Sequence, residues 1–412
     1  MSSAFAAHFG INNIPYGVAS SSKRPTPQCV TRIENDVIFL TELSSKGILD
    51  GITDYEGLGK IFYEGSLNAF AALPKDIHAR VRSAIQATYR EARGKLNECV
   101  EHIDNVQMHL PVQIGDFSDF SGSINHMGNM SEVITGKRTI GPMFHKFPPV
   151  YAGRSSSIYT SGTPVTRPLG QSFEDFTAPE KGIIFGPCQI LDYELEVGAI
   201  IGRPVEPGSM LHAKDADERI FGVVLVNDWS ARDIQVCEMT PLGPFNGKNF
   251  ATTISPWIIT LEALKPYEVP APTRSVGVTE FLDDPNSANY KIDLEVEVIR
   301  NGRSTKVCNV NFDTMHWTLR QMLAHHTIGG CGLRTGDLIA TGTVSGVGEK
   351  EHGCLMELTK GGRKPFALTD GSELSFLEDG DIVQFTGALD DGVGFGECIG
   401  QVRPASKYSR SN

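Results

Sequence analysis

No two of the eight cysteines lie in a CxxC pair, and they form no dense framework, so reduced, mostly buried thiols are the expected state. No lysine- or arginine-rich block offsets a net charge of −12, which argues against a nucleic-acid partner needing a basic face. An anionic substrate stays open, because a few local cations can dominate a pocket. No segment approaches membrane-spanning length, and the first residues lack a basic flank followed by a long apolar run. These absences predict a cytoplasmic protein with no membrane partner. No internal repeat is found.

What is present suits a globular chain, 40% hydrophobic, whose 412 residues exceed the usual limit of one core. Residues 1–110 carry a strand-like run from Val37 and one long helical pattern. Ile77, Val81, Ile85, Tyr89, Ala92, Leu96, Val100 and Ile103 recur every three or four positions after Pro74, predicting an amphipathic helix that ends near Asp104. Residues 111–412 change character: glycine is frequent and short apolar runs alternate with turns, as in the segments 336–342 and 380–387, predicting a large, mostly β domain. One helix is expected within it, capped by Asp313 and running to His325. The proline-rich segment 264–272 reads as an extended connector.

The segment Leu191-Asp-Tyr-Glu-Leu-Glu-Val197, read as a strand, places Asp192, Glu194 and Glu196 on one face. Carboxylate tips about 5 Å apart repel by roughly 3 kcal/mol at an effective dielectric of 20, and a bound cation reverses that sign. The same alternation in Ile292-Asp-Leu-Glu-Val-Glu-Val298 admits the plainer reading of two strands with wet acidic faces. Elsewhere Phe221–Asn227 is a buried strand leading to Asp228. Ser230 and Asp233 then have helix-capping spacing, and Arg232 and Gln235 project together from the first turns. Asp119 precedes His126 in one short span, although a lone histidine is more often structural. Glycine and proline shape a loop presenting Lys248, which reads equally as a solvated lysine. Gly342-Thr343 follows a strand, where backbone amides could meet an anion or simply turn.

Together these segments resemble the fumarylacetoacetase family. The resemblance rests on Asn13-Ile-Pro-Tyr-Gly17, Tyr151-Ala-Gly-Arg-Ser-Ser-Ser157, Ser161-Gly-Thr-Pro164 and Arg167-Pro-Leu-Gly-Gln171. It continues through Asn227-Asp-Trp-Ser-Ala-Arg-Asp-Ile-Gln235, Pro241-Leu-Gly-Pro-Phe245 and Thr252-Thr-Ile-Ser-Pro-Trp257, in order and register. It implies a mostly β (α+β) fold, with a small SH3-like N-terminal domain over 1–110 and a C-terminal catalytic mixed β-roll over 111–412, assembled as a homodimer.

The resemblance also implies the site. Metal carboxylates fall on Asp119, Glu194, Glu196 and Asp228, with Lys248 and Thr252 near the metal. An all-carboxylate set selects a hard divalent cation, Mg²⁺ or Ca²⁺. The general base falls on His126 and its orienting carboxylate on Glu357. Arg232, Gln235 and Lys248 match residues that stabilise an oxyanion or protonate the leaving carbon, and Tyr151, Gly342 and Thr343 match substrate contacts. The implied activity is hydrolytic cleavage of a carbon–carbon bond in a small-molecule 1,3-dicarbonyl, in the family's role fumarylacetoacetate in tyrosine catabolism.

At three substrate-contact positions the chain departs from the family: Ser121 and Met239 stand where tyrosine is expected, and Thr135 where arginine is expected. Losing an arginine able to pair bidentately with a carboxylate weakens selection for a compact dianion. A paralogue acting on another β-diketone or β-keto acid, by hydrolysis, decarboxylation or isomerisation, is the alternative within the enzyme class. A non-catalytic binding protein would be expected to lack the dyad or a metal carboxylate, and both are present.

Overall fold

In the computed structural model, residues 2–407 are described except 54, 56 and 177. The N-terminal region builds a five-stranded antiparallel sheet in the order Val100–His102, Asp36–Phe39, Gln28–Ile33, Tyr16–Ser21, Val106–His109. The helix that begins after Pro74 is shorter than its apolar recurrence predicts: it spans Lys75–Glu91, burying Ile77, Val81 and Ile85. Arg93–Leu96 then forms a 3-10 turn, and Val100 joins the sheet edge opposite Ile38. Gly94 and the β-branched Val100 and Ile103 favour that ending, and spacing alone could not distinguish an edge strand from another helical turn.

Two sheets dominate the rest. The larger runs Val150–Ala152, Phe117–Phe120, Leu338–Ala340, Leu195–Ile201, Ile220–Asp228, Thr252–Ile254, Ile158–Thr160, with Ile259–Thr260 also pairing the Ile220–Asp228 strand. Within it Phe117–Phe120 lies parallel to Leu338–Ala340, and Thr252–Ile254 parallel to Ile158–Thr160. The second sheet runs Arg303–Asn311, Asp293–Arg300, Ile382–Ala388, Gly394–Arg403, Val165–Thr166. The architecture is thus mixed α+β and mostly β, as expected. Its central strands are buried along their whole length, so their sequences read as continuous apolar runs rather than alternations.

Asp313 does not cap the C-terminal helix. It sits in a 3-10 turn, Phe312–Thr314, and the helix starts at Leu319 from a Thr318–Gln321 capping box. The mutual bonds of Thr318 and Gln321 satisfy two helix-end donors at once, which a lone Asp313 could not. The segment 264–272 contains a 3-10 turn, Lys265–Tyr267, and a short strand, Glu268–Pro270, paired with Ala288–Tyr290.

The two large sheets are locked at Trp229. Its ring is fully buried and its indole N–H donates to Thr253 Oγ1 at 2.9 Å. A Cβ placed on Gly400 would lie 2.7 Å from that ring. Gly400→Ala is therefore expected to cost about 1–3 kcal/mol through overpacking, seen as a lower thermal unfolding midpoint. An unchanged midpoint would mean the indole can shift at no cost.

Candidate active site

The acidic segment at 191–197 is not one strand. Leu191–Asp192 pairs with Ser230–Ala231, and Leu195–Ile201 pairs with Ile220–Asp228, while Tyr193 and Glu194 bridge the two. Nor is its acidic face wet, since Asp192, Glu194 and Glu196 are all buried. The break divides their work. Glu194 and Glu196 turn toward one point, whereas Asp192 accepts the backbone N–H groups of Leu355 and Met356 and pairs with Arg232. The Asp293–Arg300 strand behaves differently: Glu295 stays at the surface, bonded to Lys306 and Asn309.

Sheet register assembles the acids. Asp119 lies opposite Ala340 and Tyr151, Glu196 opposite Val226, and Asp228 opposite Thr252. Oxygens of Asp119, Glu194, Glu196 and Asp228 all fall within 4.8 Å of one another, and all four residues are buried. Tyr151 Oη donates to Asp228 at 2.9 Å, Thr252 Oγ1 to Asp228 at 3.3 Å, and the Gly342 amide to Glu196 at 3.2 Å. Position 342 requires glycine, because its φ is +77° and a Cβ there would meet the Phe120 carbonyl.

Two cations answer five buried carboxylates. Lys248 contacts both Glu194 and Asp228, the latter at 2.6 Å, so it is no solvated lysine. Arg232 holds Asp192 at 2.8 Å and Glu194 at 2.7 Å, and donates to Gln235 Oε1 at 3.2 Å. Burial opposes ionisation of Glu194, but Lys248 and Arg232 outweigh it and hold the carboxyl at about 2. Asp119 and Glu196 lack such partners. Burial, reinforced by Asp228 for the first and by Asp119 for the second, raises both well above the usual carboxylate range. Asp119 Oδ1 and Glu196 Oε1 are buried without a hydrogen-bond partner. Convergent, partly unsatisfied hard oxygens with uncompensated negative charge fit a divalent cation.

Facing this nest is a hydrogen-bonded dyad. Helix Ile124–Thr135 starts from a Ser123 side-chain cap and presents His126, whose Nδ1 lies 2.8 Å from Glu357 Oε2. Asn129 and Ser345 each donate to Glu357 at 2.8 Å, and Cys354 Sγ lies 3.2 Å away. Burial opposes ionisation of Glu357, yet the His126 charge and the hydrogen bonds from His126 and Asn129 hold it at about 2. His126, Cys354 and Glu357 also stand at metal-ligand spacing, but donors already occupy both Glu357 oxygens. With Nδ1 turned to Glu357, Nε2 is the nitrogen able to accept a proton.

Both groups open on one cleft of about 460 Å³, whose lining includes Asp119, Ser121, His126, Tyr151, Glu194, Glu196, Arg232, Gln235, Met239, Lys248, Gly342 and Thr343. Asp228, Thr252 and Glu357 are buried close behind these residues. Thr135 does not line the cleft: its hydroxyl donates to the Ser131 carbonyl at 2.7 Å and its residue is exposed. The expected Ser230–Asp233 cap is also absent. Helix Arg232–Glu238 has no side-chain cap; Ser230 Oγ donates to the Asp228 carbonyl, and buried Asp233 accepts from Cys188 and the Gln189 amide. A tertiary donor outcompeted the local one. Sequence reasoning missed Asn129, Ser345 and the bracing role of Asp192. Of these, only Asn129 carried a signal, sitting three residues after His126 on one helix face.

Family models described as Fumarylacetoacetase N-terminal and Fumarylacetoacetate (FAA) hydrolase C-terminal match residues 12–111 and 117–403. The chain belongs to the fumarylacetoacetase family. Its relatives include a protein named fumarylacetoacetase from Arabidopsis thaliana, 40% identical over 97% of this chain and 96% of that protein. One so named from Caenorhabditis elegans is 40% identical, over 96% of this chain and 97% of the other. Among solved structures, a fumarylacetoacetate hydrolase from Exiguobacterium antarcticum aligns with a TM-score of 0.50 at 18% identity, covering 95% of this chain and 99% of that one. A maleylpyruvate hydrolase from Sphingobium aligns at 0.52 and 15% identity, over 94% and 100%. At such identity the structures speak for the fold alone. Every residue of the nest and the dyad lies inside the 117–403 match. Among the described residues no helix is long and apolar enough to cross a membrane.

Proposed function

We propose that this chain is a divalent-metal-dependent hydrolase that cleaves a carbon–carbon bond in a 1,3-diketone acid, as its named relatives do with fumarylacetoacetate. The observation that carries this reading is the His126–Glu357 dyad, 2.8 Å between its members, opening on the same cleft as four convergent carboxylates. Asp119, Glu194, Glu196 and Asp228 would hold Mg²⁺ or Ca²⁺, which when bound supplies Lewis-acid stabilisation of an enolate.

The chain's own residues do the rest. His126 Nε2 takes a proton from water, Glu357 stabilises the resulting imidazolium, and the hydroxide adds to one ketone carbon. Arg232 and Gln235, held together at the cleft wall, donate to the oxyanion that forms there. The bond to the neighbouring CH₂ carbon then breaks, its electron pair leaves as the enolate of the second carbonyl, and Lys248 delivers a proton to that carbon. The products are a carboxylate and a methyl ketone acid. Decarboxylation or isomerisation through the same enolate has no need of a water-activating dyad, which is why hydrolysis is favoured.

The same reading puts the domain division near residue 110, supported by the sheet strand that closes at His109 and by the first family match ending at 111 before the second begins at 117. It includes a cytoplasmic homodimer acting in tyrosine breakdown. The deciding experiment follows fumarylacetoacetate with metal-loaded protein in ¹⁸O-labelled water. One labelled oxygen in the released fumarate and none in acetoacetate is expected; release of carbon dioxide or a shifted double bond without label would overturn hydrolysis.

A further inference from the structure

The two ends of the cleft differ in chemistry. The inner end holds the charged nest. The outer wall is mostly apolar: helix Ile124–Thr135, which carries His126, also presents Met127, Met130 and Ile134 to the cleft, and Val150 and Met239 line it as well. Positions 127, 130 and 134 repeat at helical spacing, so they form one row along the cleft wall. Ile134 is 70% exposed, Met239 50% and Val150 42%. Such a run of uncovered apolar side chains, continuous with a reaction centre, marks a contact for an apolar ligand.

Ser131 and Thr139, the two polar side chains beside that row, are already bonded. Ser131 Oγ bonds Thr139 Oγ1 at 3.1 Å and the Lys137 carbonyl at 3.0 Å, and Thr139 donates to the same carbonyl. Arg138 is turned onto Asn129 and Asn125. The Arg and Lys side chains that line the cleft, Arg232 and Lys248, are paired at its inner end. A carboxylate at the outer end would meet no Arg or Lys among the side chains that line the cleft there, while Arg138 is held on Asn129 and Asn125.

The position of the base orients the substrate. The carbon attacked by water must lie nearest His126, so the substituent on that carbon runs outward along the Met127–Met130–Ile134 row. We propose that this substituent is an apolar alkyl or alkenyl arm several carbons long, and that the preferred substrate is an acylacetoacetate bearing it, in place of a carboxylate-ended arm. This rests on the hydrolase reading above. The balance is R–CO–CH₂–CO–CH₂–COO⁻ + H₂O → R–COO⁻ + H⁺ + CH₃–CO–CH₂–COO⁻. The water oxygen joins the acyl carbon, and the electron pair of the broken bond ends in the new C–H bond.

The test is kcat/KM for the metal-loaded enzyme on acylacetoacetates with methyl, propyl and pentyl arms, alongside fumarylacetoacetate. A rise of roughly threefold to fourfold per buried methylene is expected, about a hundredfold from methyl to pentyl, with fumarylacetoacetate below the pentyl compound. Ile134→Lys should lower the pentyl compound and raise fumarylacetoacetate, whereas Met210→Glu, on an exposed site away from the cleft, should leave the profile as it was. A flat series with every member cleaved, fumarylacetoacetate as the best substrate, or an unchanged profile in Ile134→Lys would overturn the apolar arm and leave hydrolysis standing. No cleavage of any member, fumarylacetoacetate included, would overturn the hydrolase reading and this inference with it.

Discussion

His126→Ala is expected to lower turnover by about 10²- to 10⁴-fold, the usual loss for one positioned general base, while leaving metal stoichiometry intact. The two effects separate because the imidazole contacts Glu357 rather than the four-carboxylate nest. Glu357→Gln should act in the same sense through His126, lowering kcat with little change in KM. Its glutamine could accept from Asn129 or from Ser345, which donate to different oxygens of Glu357, but not from both, and could no longer stabilise an imidazolium. Single-turnover rates together with metal analysis of the same samples check both. Near-normal turnover in His126→Ala would remove this dyad from the reaction.

Stripping the divalent ion with a chelator is expected to abolish turnover, by roughly 10³-fold or more, because Lewis-acid stabilisation is worth several kcal/mol. Readdition of Mg²⁺ or Ca²⁺ should restore it at about one equivalent per chain. Glu196→Gln should lose the ion, while Glu295→Gln, on the similar acidic strand, should keep it. The reverse result would place the ion at the wrong strand. Binding itself gives a second readout. Burial and neighbouring charge keep Asp119 and Glu196 raised, so cation binding should displace protons. Calorimetry in buffers of differing ionisation enthalpy would detect that release, and its absence would mean both carboxyls are already ionised.

Much of the site was legible in the sequence because it is built on strand ends and one helix. Asp228 closes a strand that is apolar up to Asn227, and His126 lies in a short segment just beyond Asp119, so their placement followed from pattern and resemblance. The identities of the acids at 194 and 196 were also plain, but their setting was not. Periodicity predicted a single strand and left its acidic face open between a wet surface and a cation site; the chain instead breaks at Tyr193–Glu194 and buries every carboxylate of the segment. Alternation reports which way side chains point, not what covers them. Local capping rules failed at Ser230 and Asp313 for a related reason, since distant donors and a better-placed Thr318–Gln321 pair took over.

By itself, then, the sequence determined the mostly β class, the lack of a lysine- or arginine-rich block and the inventory of hard oxygen ligands, because composition, strand periodicity and motif register are local properties. Spacing left the two acidic strands alike and the family resemblance chose the first; the tertiary structure shows its Glu194 and Glu196 converging with Asp119 and Asp228, while Glu295 stays at the surface with Lys306. Only the tertiary structure decided that Asp192 braces Arg232 and the helix bearing Glu357, and that Thr135 turns away while Met127, Met130 and Ile134 line the outer cleft. Each of these depends on contacts between residues far apart in the chain: Asp192 with Leu355, His126 with Glu357, Asn129 with Glu357. The packing of helices Ile124–Thr135 and Leu355–Leu358 against one another and against the Leu191–Asp192 strand sets those contacts, and it is not written in the spacing of any single segment.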